Sequence, residues 1–523
     1  MKKLVSILLA MALILSLSTT AFATAVTIAD DDAVTRTYNG YKLLNLTISP
    51  KTGTHPDGCD GTNHVDGCYN YAYTVNEKYE GILKNLATEA GKTDIIEYLA
   101  GQSSDSKNDK NEITSFGSLH EAAEAIYAAI QDQNITPDAN DMTDTANIDQ
   151  GYWLFADVTN LSDKNAANSL VIVDTKGQDS LTITPKTGLP TLEKKVKDTN
   201  DSTGETTGWQ DSADHDIKDT VDFQLTATMP ENIASYDTYA IIFHDNLSEG
   251  LTLLPGTIKV MMYANEDATT GTDVTASFNK PDTAPANGEF TISHNQNNIN
   301  NVKALGATKD SIFVVTYSAT LNENAVIGAA GNPNTAYLEF SNNPYDDGTG
   351  KTKDDTVIVY TYKLIINKVD ENNQALKGAG FTLYKKDATG NYNPIVVGKD
   401  ADGKTVTELK GADMTTFEWK GLDDGDYKLV ENTVPAGYNK MADIEFTITA
   451  EHEAETKTLN GGAMGEGDFS AGTITKNVEN HTGTVLPETG AKGTVMLITI
   501  STMFVMVAAV FMVTRKKMSI YED

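Results

Sequence analysis

Leu364-Ile365-Ile366-Asn367-Lys368-Val369-Asp370 alternates so that Leu364, Ile366 and, just before them, Tyr362 share a face with Lys368. Alternate side chains of a strand point to the same side. The run therefore predicts a strand that carries a lysine into an apolar core. Burying an ammonium without a partner is costly, so a lysine there needs a chemical reason. The same parity puts Glu431 on the face of Tyr427 and Leu429, and Asn480 on the face of Ile474 and Val478. An amine, an acid and an amide are thus predicted to face one interior.

Around that strand lie Leu376-Lys377-Gly378-Ala379-Gly380-Phe381-Thr382-Leu383-Tyr384 and Tyr427-Lys428-Leu429-Val430-Glu431-Asn432-Thr433-Val434-Pro435-Ala436-Gly437-Tyr438. Together these stretches resemble the B-type repeat domain of collagen adhesins and Gram-positive pilins, over nearly the whole of residues 357–484. The resemblance implies an internal isopeptide bond, made without an enzyme, between Lys368 and Asn480 with Glu431 as proton relay. The chemistry has clear demands. A lysine must be neutral to attack, and burial lowers its pKa. A protonated acid can polarise the amide carbonyl while relaying protons.

Upstream, residues 189–356 resemble the A-type partner domain of the same proteins. In Pro190-Thr191-Leu192-Glu193-Lys194-Lys195-Val196-Lys197, only Lys194 shares a face with Leu192 and Val196. Asp245 follows the parity of Ile241 and Phe243, and Asn342 that of Ala336, Leu338 and Phe340. The expected second triad is Lys194 and Asn342 with Asp245 as relay. Asp222 alternates against Val221, Phe223 and Leu225 and should face solvent.

Residues 24–188 form the expected N-terminal domain, α+β with helical insertions. Ser118-Leu119-His120-Glu121 reads as a capping box, followed by an apolar stripe of Leu119, Ala122, Ala123, Ile126 and Ile130 that leaves His120 facing solvent. Backbone pilins carry a polymerisation lysine in a motif ending Tyr-Pro-Lys near the close of this domain. Here Ile183-Thr184-Pro185-Lys186 stands in that place, with threonine for tyrosine, and Lys186 is opposite in parity to Leu181 and Ile183. Pro50-Lys51 is the second candidate acceptor. The chain's two cysteines, Cys59 and Cys68, flank a polar loop. In an exported chain they predict a short disulfide loop. Metal binding is the alternative, given His55, Asp57, Asp60, His64 and Asp66, although no ligand spacing matches a known zinc pattern.

The ends set the expected compartment. Lys2 and Lys3, an apolar run over 4–17 and Ala21-Phe22-Ala23 have the order of a secretory signal peptide, placed at 1–23. At the other end, residues 485–523 hold Leu486-Pro487-Glu488-Thr489-Gly490, an apolar stretch over 495–513 and then Arg515, Lys516 and Lys517. The stretch is long enough for a transmembrane span, with its basic flank cytoplasmic. The pentapeptide resembles the cell-wall sorting signal of Gram-positive surface proteins at all five positions. That resemblance implies sortase attack on the Thr489 carbonyl and transfer of Thr489 to an amine.

A net charge of −33 over 523 residues argues against a nucleic-acid partner. No nucleophile elbow or zinc-binding helix motif is present. The expected fold is mainly β: tandem immunoglobulin-like sandwiches of the collagen-adhesin A and B types behind the α+β domain. The expected function is that of a non-enzymatic, cofactor-free shaft subunit of a pilus, joined from Thr489 to Lys186. Its expected partners are a class C pilus sortase and a housekeeping sortase, other copies of itself, minor or tip pilins, peptidoglycan, and a host or microbial surface ligand. A monomeric wall-anchored adhesin is the alternative.

Overall fold

In the computed structural model, residues 23–29, 34–50, 69–107, 113–115, 117–184, 188–295, 299–483 and 503–510 are described. Their alternating apolar runs form three successive β-rich bodies, each with its own apolar core. The fold is mainly β.

The N-terminal body has two main sheets, besides a small two-stranded one of Ser106–Lys107 and Ile113–Ser115. One orders Ser180–Ile183, Ala23–Ile28 and Thr145–Asp149; the other orders Tyr69–Val75, Tyr38–Pro50, Gly151–Asp157 and Leu170–Asp174. Helices Glu80–Glu89, Ile95–Ala100 and Ser118–Asp132 fill the insertions. The last of these buries Ala122, Ala123, Ile126 and Ile130, as its periodicity predicts. Two expectations at this helix are corrected. Its N-cap is Gly117, which makes no side-chain capping bond, and the Ser118 hydroxyl instead accepts from Ser103 N at 2.9 Å. A Cβ at residue 117 would collide with the Ser103 and Ser104 backbone, so the close approach of that loop selects glycine. His120 is buried, not exposed, with Nε2 3.0 Å from Glu124. It lies on the same helical face as Ala123, Tyr127 and Ile130, and Asp105, Leu170 and Ile172 of the same body close around it, which widens the buried stripe.

The middle body is a sandwich. Its first sheet runs Thr191–Val196, Thr220–Thr228, Ile312–Leu321, Leu251–Tyr263 and Thr272–Asp273. Its second runs Ser212–Asp214, Asp355–Tyr360, Asn332–Ser341, Ile241–Leu247, Glu289–His294 and Phe278–Asn279. Along Thr220–Thr228, Val221, Phe223, Leu225 and Ala227 are buried while Asp222 is exposed. Such alternation is what two facing sheets impose. Strand Asp355–Tyr360 belongs here, because Val357 and Val359 enter this core. The domain border therefore falls at Thr361, not 356. Val357 to Leu364 reads as one apolar run in the sequence, and only the change of strand partners at Thr361 divides it.

In the C-terminal body, Tyr362–Asp370 sits between antiparallel Thr416–Leu422 and parallel Thr473–Asn480. A second sheet faces it, running Tyr392–Pro394, Gly380–Lys386, Gly425–Thr433, Ile444–Glu451 and Thr458–Asn460.

Candidate functional site

Lys368, Glu431 and Asn480 meet in the core of the C-terminal body, each at most 1% exposed. Their elements explain the meeting. Lys368 is opposite Val478 across the parallel pair, which brings Asn480 one pleat further on the same face. Glu431 comes from Gly425–Thr433 in the facing sheet. Asn480 Nδ2 donates to both Glu431 oxygens, at 2.8 and 3.1 Å, while its Oδ1 has no donor. The Lys368 amine donates to the Val369 and Val478 carbonyls, each at 2.9 Å. Burial brings its pKa down to about 8, against the opposing pull of Glu431, Glu479 and Asp370. An amine, an acid and an amide without a proton donor on its carbonyl thus share one apolar pocket.

The middle body holds a second such group, with a different amide. Lys194 is fully buried, and its amine lies 2.7 Å from Asp245 Oδ2 and 2.8 Å from the Tyr317 hydroxyl. That hydroxyl donates to the same Asp245 oxygen at 2.6 Å. It also accepts from Asn334 Nδ2 at 2.8 Å, so Asn334 is the amide at this site. Burial lowers the Lys194 pKa, although Asp245 opposes the shift. The amine also lies over the rings of Phe223 and Tyr317, at 5.5 and 5.3 Å from their centroids.

Asn342 is elsewhere, and the expectation for it is corrected. It follows the end of Asn332–Ser341, and its amide donates to Leu161 and Ala166 carbonyls of the N-terminal body at 2.9 and 3.3 Å. Asn334 and Asn342 have the same parity, so alternation alone could not choose between them. Eight residues of strand separate them by about 26 Å, and only the depth of Lys194 decides. Asn334 faces Leu247 in the register, two residues from the Asp245 pairing. Asn332-Pro333-Asn334 was readable as inward-facing asparagine. Tyr317 was readable too, since it shares its face with buried Phe313 and Val315.

Among the described residues, Lys194 and Lys368 are the lysines with no exposed surface. The N-terminal body buries Arg36 instead, paired with Asp157 Oδ2 at 2.7 Å. A guanidinium stays charged and cannot serve as an amine nucleophile. Several expected features lie outside the described residues: the expected 1–23 leader except Ala23, Lys51, Cys59, Cys68, Lys186 and the pentapeptide Leu486 to Gly490. Of the apolar C-terminal stretch, 503–510 is described and helical, and no described helix is long and apolar enough to cross a membrane.

This arrangement defines a tandem β-domain protein with a buried lysine–acid–asparagine group in each of its last two bodies. Residues 362–462 match the SpaA prealbumin-like fold domain. Over 285 residues, 51% of this chain, the sequence is 28% identical to the trypsin-resistant surface T6 protein of Streptococcus pyogenes serotype M6. That match spans 46% of the relative, so the chain covers about half its length. The solved T6 backbone pilin of serotype M6 Streptococcus pyogenes is 17% identical, covering 88% of this chain and 99% of that one, with a TM-score of 0.47. The full-length major pilin SpaD of Corynebacterium diphtheriae is 16% identical, covering 88% and 98%, with a TM-score of 0.43. The chain thus carries a prealbumin-like domain of the SpaA type and resembles a streptococcal surface protein over about half its length.

Proposed function

We propose that this protein is the shaft subunit of a sortase-assembled pilus on a Gram-positive cell surface, stabilised by one internal isopeptide bond in each of its last two bodies. The observation that carries this reading is the pairing of two fully buried lysines with a buried acid and a buried asparagine on facing or neighbouring strands. In each, the neutral lysine nitrogen attacks the asparagine Cγ, and the new C–N bond replaces the bond to Nδ2, which leaves as ammonia. The acid, Glu431 or Asp245, takes the proton that the amine loses and returns it to the leaving nitrogen. At the first site a half-turn of the Asn480 amide presents Oδ1 to Glu431, so that the relayed proton passes beside the carbonyl it must polarise. At the second, Asn334 replaces Asn342 as the acceptor of Lys194.

Between subunits, the Thr489 carbonyl passes from the sortase cysteine to the Lys186 amine of another copy. The last subunit passes to peptidoglycan. The resemblance to the streptococcal surface T6 protein and the five-position match of Leu486-Pro487-Glu488-Thr489-Gly490 support this head-to-tail assembly.

The test is a Lys186→Arg substitution in the native host, with wall extracts boiled in detergent and probed for this chain. The expected result is loss of a high-mass ladder with a wall-linked monomer retained. An unchanged ladder would move the acceptor to another lysine, Lys51 first. A well-expressed wild type without any ladder would sink the shaft reading and favour a monomeric adhesin.

A further inference from the structure

The junction between the middle and C-terminal bodies is built on aspartates. A hairpin of Thr199–Asn200 and Glu205–Thr206 reaches from the middle body onto its neighbour. There Asn200 Nδ2 donates to Asp424 Oδ2 at 2.8 Å, and the Ser202 hydroxyl donates to the Lys386 carbonyl at 3.1 Å. Two acidic groups lie in this junction, and they differ in what answers their charge. Asp201, Asp216, Asp219 and Asp423 surround the Lys385 amine, which lies 2.9 Å from Asp201, 2.7 Å from Asp216 and in contact with Asp423. That group already holds its cation.

The other group is Asp198, Asp214 and His452, whose ligand-capable atoms all lie within 4.8 Å of one another. Among the described residues, no lysine or arginine pairs with it. Asp214 is 1% exposed, and neither of its carboxylate oxygens has a hydrogen-bond partner. The neutral Tyr362 hydroxyl lies beside the Asp214 carboxyl and brings no positive charge to it, and Asp424 adds a third carboxylate with an unpartnered Oδ1. A bare buried carboxylate is among the costliest arrangements in a protein interior. A charged imidazole would satisfy Asp198, whose Oδ2 is 3.1 Å from His452 Nε2, but would still leave both Asp214 oxygens bare.

We propose that Asp198, Asp214 and His452 bind a divalent transition-metal ion, zinc fitting best, at the junction of the middle and C-terminal bodies. One imidazole nitrogen with two carboxylates is a donor set suited to zinc rather than to calcium, which takes oxygens. The outer contacts agree. His452 Nδ1 is 2.8 Å from the Ser212 hydroxyl, whose own proton is taken by Glu453. Ser212 therefore accepts the Nδ1 proton and leaves the Nε2 lone pair directed at the carboxylates. Metal-bound histidines are commonly oriented in this way. Two ligands come from the middle body and one from the C-terminal body, so the ion fastens one to the other.

The test is calorimetric titration of the mature, chelator-treated chain with zinc chloride. The expected result is one saturable site with a Kd of roughly 10 µM or tighter. Asp214→Asn should weaken it by about tenfold or more, whereas Asp201→Asn, in the group filled by Lys385, should change it by less than about twofold. No saturable binding, or equal binding by Asp214→Asn, overturns the site. So does tight calcium binding that displaces zinc. If Asp214→Asn does not fold, zinc-edge X-ray absorption of the unsubstituted chain decides. One imidazole nitrogen with carboxylate oxygens at about 2.0–2.2 Å supports the site, and sulfur or several imidazoles overturns it. A pilus ladder formed by a chain that binds no zinc would sink this site and leave the shaft reading intact.

Discussion

The two lysine groups set up the same proposed chemistry by different routes. In the C-terminal body, amine and amide sit on neighbouring parallel strands of one sheet, and the acid comes from the sheet opposite. In the middle body the lysine crosses the sandwich to an acid and an amide that are neighbours in the far sheet, with Tyr317 between them. The difference decides how much of each body a covalent tie encloses. Lys368 and Asn480 lie on the first and last strands of their body, so nearly all of it would fall within the loop that the proposed bond closes. Lys194 is also on a first strand, but Asn334 precedes residues 335–360, which include the final strand Asp355–Tyr360. That segment is held by hydrogen bonds and packing alone. It also carries Asn342 and the turn that meets Leu161, Lys164 and Ala166 of the N-terminal body.

The largest expected effect is mechanical. Pulling one mature chain from its ends should draw residues 335–360 out of the middle body, a gain on the order of 80 Å at about 3.3 Å per residue. The C-terminal body should give no comparable step before it ruptures. A middle body that never yields by that amount, measured in single-molecule force traces, would mean that its closure lies beyond Asn334.

Next in size is the loss of each tie. The mature chain should weigh two ammonias less than its sequence. Glu431→Gln and Asp245→Asn should each restore one, and Asn334→Ala should match Asp245→Asn while Asn342→Ala leaves the mass unchanged. Each lost tie removes about 5 kcal/mol of unfolded-state restriction by the loop-closure estimate for cross-links. That corresponds to a fall on the order of 20 °C in the unfolding of the affected body. Intact-mass spectrometry with calorimetry checks both. Retained ammonia loss in Asp245→Asn would show that the middle group needs no acid relay.

The smallest effect is a pH dependence that exposes the free amine. In Asn480→Ala, Lys368 stays an amine whose folded pKa is about 8 against 10.5 for an ordinary lysine. Between those values the unfolded chain binds the extra proton, so stability must rise with pH across that window and be lost as pH falls through it. The gain is on the order of 3 kcal/mol. Denaturant titrations at several pH values should show it in Asn480→Ala and not in the unsubstituted chain, where the amide no longer titrates. A flat profile in the variant would argue that its amine remains protonated inside.

The alternation around Lys368, Glu431 and Asn480 was legible because each shares its strand with at least two apolar residues of the same parity, which confirm the period of two. Lys194 and Asp245 were legible for the same reason. Asn342 was misread because parity is a one-bit reading: it fixes the side a residue faces, not how far along the sandwich it lies. His120 was misread because a stripe drawn from apolar residues leaves out a polar residue that a second element covers. The border near 356 was misplaced because Val357 to Leu364 has no turn residue within it. The Asp198, Asp214 and His452 group was invisible for a plainer cause, since 254 residues separate its ends.

By itself the sequence determined the strand-forming runs, the inward lysines, and the charge that argues against a nucleic-acid partner, and it set the expectation of export and sorting at its ends. These rest on local periodicity and on short contiguous motifs, which need no knowledge of what packs against them. Only the tertiary structure decided that Asn334 stands at Lys194, that Asn342 holds the N-terminal body, and that aspartates from two bodies converge on His452. Those are questions of register and depth between strands far apart in the chain, and they are settled by packing that no local pattern encodes.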